Sequence, residues 1–203
     1  MSVTLRTAVA FLCILLSRTD CAQAEWFDAP EHRARLAAGE IIVTSESTTD
    51  VPRGRIHAAV QIAAEPEAIW VVMTDCARAP SFVPNLKRCE LVETAPDGTW
   101  EVLRHEVKYL WLWPRIHYVF RADYRRPQRI DFRRVSGDLK EQEGSWVLER
   151  LADGTGTIVG YEVYLDPGTW VPRSIVQRAL ARDLPALMSA LRTQVQSEQR
   201  QEP

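Results

Sequence analysis

"GDLKEQEGSWVLERLADGTGTIVGYEVYLDPG", residues 137–168, governs how the rest of the chain is read. Residues 142–151 and 156–166 are rich in β-branched and aromatic side chains, and "ADGTG" between them supplies Asp and Gly where a tight turn needs them. Two such runs joined by so few residues make an antiparallel hairpin. "DPG" ends it, and "VPRSIVQRALARDLPALMSALRTQV" follows, with Val176, Leu180, Leu184, Leu187, Leu191 and Val195 stepping by three and four along one helical face. The hairpin therefore hands over to a long amphipathic helix, which Pro185 is expected to kink or to divide in two.

Upstream, the same reading gives four more strands at 86–94, 100–110, 115–125 and 129–136, separated by "PDG", "LWLWP" and "RPQ", with "SGDLKE" leading into the hairpin. Ahead of these, "RIHAAVQIAA" alternates like a strand, and "EPEAIWVVMTD" carries Pro66 in a helix's first turn and apolar residues at helical spacing. The order is strand, helix, six-stranded meander, long helix. This is an α+β chain whose curved antiparallel sheet wraps around the C-terminal helix and encloses either packed side chains or a cavity. Residues 25–53 read as an N-terminal extension, helical through "APEHRARLAAGEI" and then extended or loop through "TSESTTDVPRG"; the compact domain is expected over 54–200.

On these residues the chain resembles the START-like (SRPBCC, Bet v 1-like) helix-grip superfamily. It is most similar to the branch holding polyketide cyclase/dehydrase and coenzyme Q-binding START domains. Gly137-Asp138, Gly144-Ser145-Trp146, the "DGTG" turn and the Asp166-Pro167-Gly168 exit carry the likeness, together with "PEAIWVVMTDCARAPSFVPNLKRCELV". It covers about residues 54–195. The resemblance implies an internal hydrophobic cavity and an apolar ligand (a lipid, isoprenoid, quinone or polyketide) held between sheet and helix. None of the matching motifs is catalytic, so the likeness speaks for the fold more than for an activity.

In a meander, successive turns fall at alternate ends, so "LWLWP", "SGDLKE" and "DPGTWVP" share one end of the sheet. Trp111, Trp113 and Trp170 lie there and are expected to form the cavity mouth or a transient membrane contact. Alternation puts Ile116, Tyr118, Phe120, Ala122 and Tyr124 on one face, with Leu103, His105, Val107 and Tyr109 facing the same side across the hairpin. The expected ligand-binding wall comprises Leu103, His105, Val107, Tyr109, Tyr118, Phe120, Phe132, Trp146, Tyr161, Val163, Val176 and Leu180. His105 is the one candidate acid or base, with Tyr118 and Tyr161 as hydrogen-bond donors to a carbonyl or quinone oxygen; the plainer reading makes His105 a satisfied strand residue.

The first 24 residues bear on the compartment. Arg6 precedes the apolar run "AVAFLCILL", and "AQA" at Ala22 to Ala24 is a cleavage signature, so a signal peptide cut after about Ala24 is expected, giving a periplasmic or secreted protein. Its removal takes the formal charge from −2 to −3, too small a field to recruit nucleic acid. Cys76 and Cys89 then remain in a compartment that permits disulfides; they either bridge or stay as two buried thiols. They and the scattered histidines lack metal-ligand spacing, and no cofactor is expected. "GTGTIVG" is a hairpin turn and not a phosphate loop, because no helix follows it. Arg121, Arg125, Arg126, Arg129, Arg133 and Arg134 read as a solvated face. Two rival functions stand beside the carrier: a cyclase or dehydratase using the same cavity, and an accessory protein whose core is filled. Oligomeric state is not legible.

Overall fold

The computed structural model describes residues 25–47, 53–109 and 111–201; the expected signal peptide lies outside them. Eight strands follow in chain order: β1 (Ile41–Ser47), β2 (Gly54–Ile62), β3 (Leu86–Thr94), β4 (Trp100–Val107), β5 (Ile116–Arg125), β6 (Arg129–Gly137), β7 (Glu141–Arg150) and β8 (Thr157–Asp166). The six meander strands fall within a few residues of their expected bounds, because Gly, Pro and Asp mark each turn. Helices α1 (Pro30–Ala37), α2 (Pro66–Thr74), α3 (Ala79–Phe82), α4 (Arg173–Arg178) and α5 (Leu184–Gln199) complete the fold. Both α1 and α2 open on proline, whose missing N–H is no loss in a first turn.

The strands form one antiparallel sheet in the order β1-β2-β8-β7-β6-β5-β4-β3, so β1 and β3 are free edges and the curved sheet stays unclosed. Its concave face holds the helix. Ala58, Val60 and Ile62 of β2, Leu148 of β7 and Val159 of β8 pack with Met188, Leu191 and Val195 of α5 and with Ile69, Trp70 and Val72 of α2. Each fully buried side chain of this size contributes roughly 1.5–3 kcal/mol.

Proline does not break the grip helix. Between α4 and α5 the chain widens into a π turn over Ala179–Asp183, and the flanking Arg178 and Leu184 keep helical dihedrals. Pro185 therefore sits in the first turn after a wide one, where a missing N–H is tolerated. Asp183 in that turn accepts a 2.8 Å hydrogen bond from Asn85 Nδ2, joining the helix to the loop before β3.

The packed fold starts earlier than Gly54. β1 pairs with β2 from Ile41↔Val60 to Ser47↔Gly54, adding a strand where the sequence reading placed an extension. The reading missed it because the strand's second half is polar, with Thr44, Ser45 and Glu46 facing water at a sheet edge. Phe27 and Leu36 are both 0 % exposed and pack with Ile42, Ala59 and Ile158 on the convex side of the sheet. Gly160 of β8 makes room for them: a Cβ there would sit 2.2 Å from Phe27 Cε1.

Candidate functional site

Between the sheet and the helices lies a cavity of about 210 Å³. A single water needs only about 10–15 Å³ by the same measure, so an organic molecule fits. Seven of the side chains expected as wall line it: Leu103, His105, Tyr118, Phe120, Phe132, Trp146 and Tyr161. Strand alternation brings them together. β4 and β5 are in register at Leu103↔Phe120 and His105↔Tyr118, and β7 and β8 at Trp146↔Tyr161, so each pair points the same way across its hairpin.

The remaining expected wall residues are placed differently. Val107, Tyr109 and Val176 join Leu86, Ile116, Leu139, Val171 and Ile175 in a separate apolar cluster, where the hairpin ends meet the start of the grip helix. Val163 packs with Ile56 and Phe132. The Leu180 side chain lies outside those described. The tryptophans are not a mouth: none lines the cavity, and the apolar cluster fills that end. Trp113 and Trp170 stack with centroids 6.5 Å apart, and Trp170 Nε1 donates to the Asp138 carbonyl at 3.0 Å. The hairpin tip projects furthest, with Trp111 81 % and Leu112 75 % exposed.

A second wall escaped the sequence reading. Met73 and Thr74 at the end of α2, Cys76 and Ala79 after it, and Phe82 and Val83 around α3 close the cavity opposite the sheet, with Leu187 and Leu191 of α5 beside them. Cys76 and Cys89 are joined as a disulfide with Cα atoms 5.4 Å apart, tying this wall to β3. Both cysteines line the cavity. Helical spacing in "IWVVMT" marked α2 as amphipathic, but only the return of α3 over the sheet makes its last turn a lining.

The polar groups in the wall are few and neutral. His105 Nδ1 lies 3.2 Å from Tyr118 Oη, and its ring stands edge-on to Phe120 at 4.9 Å. Burial pushes the His105 pKa down to about 4, so the imidazole is uncharged near neutrality. The same desolvation holds Tyr118 and Tyr161 well above the ordinary tyrosine range. Tyr161 lies against Trp146 at 4.3 Å and stacks on Phe132 at 5.9 Å. Gln142 shares the inward face of β7 with Trp146 and Leu148, and its Oε1 is buried without a partner among the described residues. Thr74 and Tyr124 are already engaged, with the Trp70 carbonyl and Glu101 respectively. Among the described residues, no lysine, arginine, aspartate or glutamate lines the cavity.

Most of the charge on these strands is on the convex face; Arg134, opposite Phe120 in the register, shares the inward side and donates to the Gly137 carbonyl at 2.9 Å. Asp123 accepts from Arg121 and Arg133, and Asp131 pairs with Arg125 and Arg129. The arginine-rich strands are thus laced by interleaved aspartates, and Arg121 also covers the Trp100 ring at 4.2 Å.

A curved sheet gripping a helix around a neutral, apolar cavity defines a helix-grip protein built to hold a small molecule. Residues 62–192 match the family described as "Polyketide cyclase / dehydrase and lipid transport", and the chain belongs to it. A comparison with curated protein sequences finds no match. Among solved structures, the fold is shared with a STAR-related lipid transfer protein from Xanthomonas axonopodis (TM-score 0.65, 16% identity, covering 77% of this chain and 93% of that one). It is also shared with the Zhui aromatase/cyclase from Streptomyces sp. R1128 (0.61, 17%, 73% and 96%). A START superfamily protein from Mycobacterium smegmatis is similar in the same way (0.61, 21%, 71% and 98%). At these identities the likeness establishes the START-type helix-grip fold.

Proposed function

We propose that this protein is an exported carrier that captures and releases an apolar small molecule, of the lipid, isoprenoid, quinone or polyketide class. The observation that carries this reading is the cavity itself, walled mainly by aromatic and aliphatic side chains and, among the described residues, by no charged ones. Affinity would come from burying ligand area at about 25 cal/mol per Å². A disulfide in the cavity wall supports export, since such bonds persist in oxidising compartments. A void of this size speaks against an accessory protein with a filled core.

The test is native mass spectrometry of the protein purified from its host, followed by organic extraction. A near-stoichiometric lipid, quinone or polyketide supports the carrier; a ligand-free mass, with no uptake from a host lipid extract, overturns it. The exposed Trp111–Leu112 tip is proposed as the contact with a donor membrane. Trp111→Ala combined with Leu112→Ala should lower vesicle binding and transfer severalfold without changing the melting temperature; unchanged transfer removes the membrane role.

One observation favours a second reading, a cyclase or dehydratase: His105 and Tyr118, 3.2 Å apart inside the cavity, form an imidazole–phenol pair positioned to exchange a proton with a bound substrate. That reading requires turnover which His105→Gln abolishes while ligand affinity is retained.

A further inference from the structure

Five arginines lie on β5 and β6, and four of them have counter-ions. Arg121 and Arg133 meet Asp123, and Arg125 and Arg129 meet Asp131, all on the convex side. Arg134 does not join them. It follows Arg133 directly, so its side chain turns to the other face, and a bulge at Val135 in the pairing with β5 sets it opposite Phe120. Its Nη2 donates to the Gly137 carbonyl at 2.9 Å, while Nε is buried with no partner. Among the described residues, no carboxylate pairs with this guanidinium.

Gln142 is its neighbour on β7. The β6–β7 ladder ends at Arg133↔Glu143, and the next step brings Arg134 and Gln142 side by side on the inward face. Phe120, Phe132 and Gln142 line the cavity, and Arg134 stands among them at its edge. Gln142 Oε1 is buried without a partner as well, so the two neighbours do not bond each other. Turning the amide puts its N–H where the oxygen stands, and the corner then offers two donors, one of them charged. A guanidinium without a counter-ion favours an anion, and a planar carboxylate suits one positive charge with one amide beside it. Arg134 is only half-buried, so a carboxylate held there keeps part of its hydration.

Resting on the carrier reading, we propose that the Arg134–Gln142 corner binds the carboxylate of an acidic ligand whose apolar skeleton fills the cavity. One carboxylate oxygen accepts from Arg134 Nε–H and the other from the Gln142 amide. Acid-bearing lipids and polyketides are thereby favoured over quinones and isoprenoid hydrocarbons.

Two compounds with one bicyclic skeleton test this, 2-naphthoate and 2-acetylnaphthalene, titrated at neutral pH by calorimetry or fluorescence. The ketone carries a methyl group in place of one carboxylate oxygen and is uncharged. The acid should bind about ten-fold tighter, the worth of one charge-assisted hydrogen bond. Arg134→Met keeps an unbranched apolar stem and removes the charge. In that variant the acid-to-ketone preference should fall to about one, while ketone affinity stays within about two-fold of the parent. Gln142→Met should weaken the acid about three-fold and leave the ketone alone.

Ketone binding as tight as that of the acid overturns the proposal in the parent protein alone. A preference for the acid that survives Arg134→Met in a folded variant does the same, and assigns the corner to the fold. Both results leave the carrier reading standing, because the skeleton has bound. A neutral quinone or hydrocarbon extracted from the purified protein would also confirm the carrier while overturning the acid corner. Failure of both compounds to bind overturns the corner, and the carrier is then judged by its own extraction experiment.

Discussion

The two faces of one sheet have been given opposite tasks. On β5, Tyr118, Phe120, Ala122 and Tyr124 turn toward the helix and meet a cavity, whereas Arg121, Asp123 and Arg125 turn outward, Arg121 pairing with Asp123 and Arg125 with Asp131 of β6. On β2 and β8 the outward side is not left to water at all: Phe27 and Leu36 cover Ala59, Ile158 and Gly160. The concave face is thus loosely filled around a cavity whose described lining is uncharged, while the convex face is either tightly packed or ion-paired. Stability and ligand recognition are carried on opposite sides of the same strands, so substitutions on the two sides should separate the two properties.

The largest effect is expected on the convex side. Phe27→Ala removes a fully buried ring and should cost about 3–5 kcal/mol in urea unfolding, with ligand affinity unchanged in the protein that remains folded. Phe82→Ala, which trims the cavity wall, should do the reverse. If Phe27→Ala costs under about 1 kcal/mol, the N-terminal cover is not part of the cooperative unit and the contrast fails.

Acid should act on the concave side. His105 takes up a proton near 6.5 when unfolded but only near 4 when folded, so between those values the unfolded chain binds more protons. Stability contributed by the neutral ring is complete above about 6.5 and is lost as the pH falls toward 4, by about 3 kcal/mol in all. Unfolding curves measured across that window for the parent and for His105→Phe check this. The variant should lose that portion of the slope.

Reduction of Cys76–Cys89 should cost about 3 kcal/mol by freeing the unfolded chain. Because both cysteines line the cavity, it should also speed ligand dissociation, which stopped-flow displacement would read. Faster exchange without loss of stability would assign the bond to the wall alone. The smallest effect belongs to the convex ion pairs: Arg133→Ala should change stability by no more than about 0.5 kcal/mol, and less still at high salt. A cost above about 2 kcal/mol would mean that the outer face is structural in its own right.

What could be read beforehand follows the same division. The seven wall residues on β4 to β8 were legible because a strand's inward face is set by its own period. The wall from Met73 to Val83 was not legible, since its residues come together only through the path of a loop and a short helix. The tryptophans misled for a related reason. An aromatic-rich turn advertises a surface, yet Trp113 and Trp170 pack on each other once the two turns meet. The N-terminal cover did leave a trace. "HAAV" in β2 and "TIVG" in β8 are buried on both faces, a pattern that a sheet open to water on one side does not show.

The π turn at Ala179–Asp183 makes the grip helix sensitive to counting. Each residue of a regular helix advances its side chains by about 100°, so the phase between Ile175, which packs in the cluster at one end, and Leu187, which faces the cavity, depends on how many residues lie between them. Deleting one residue from this turn would restore an ordinary helical repeat and relieve a local irregularity. It would also rotate one half of the helix against the other, so that either the cavity or the apolar cluster loses its lining. The segment should therefore tolerate exchange of residue type far better than any change of length.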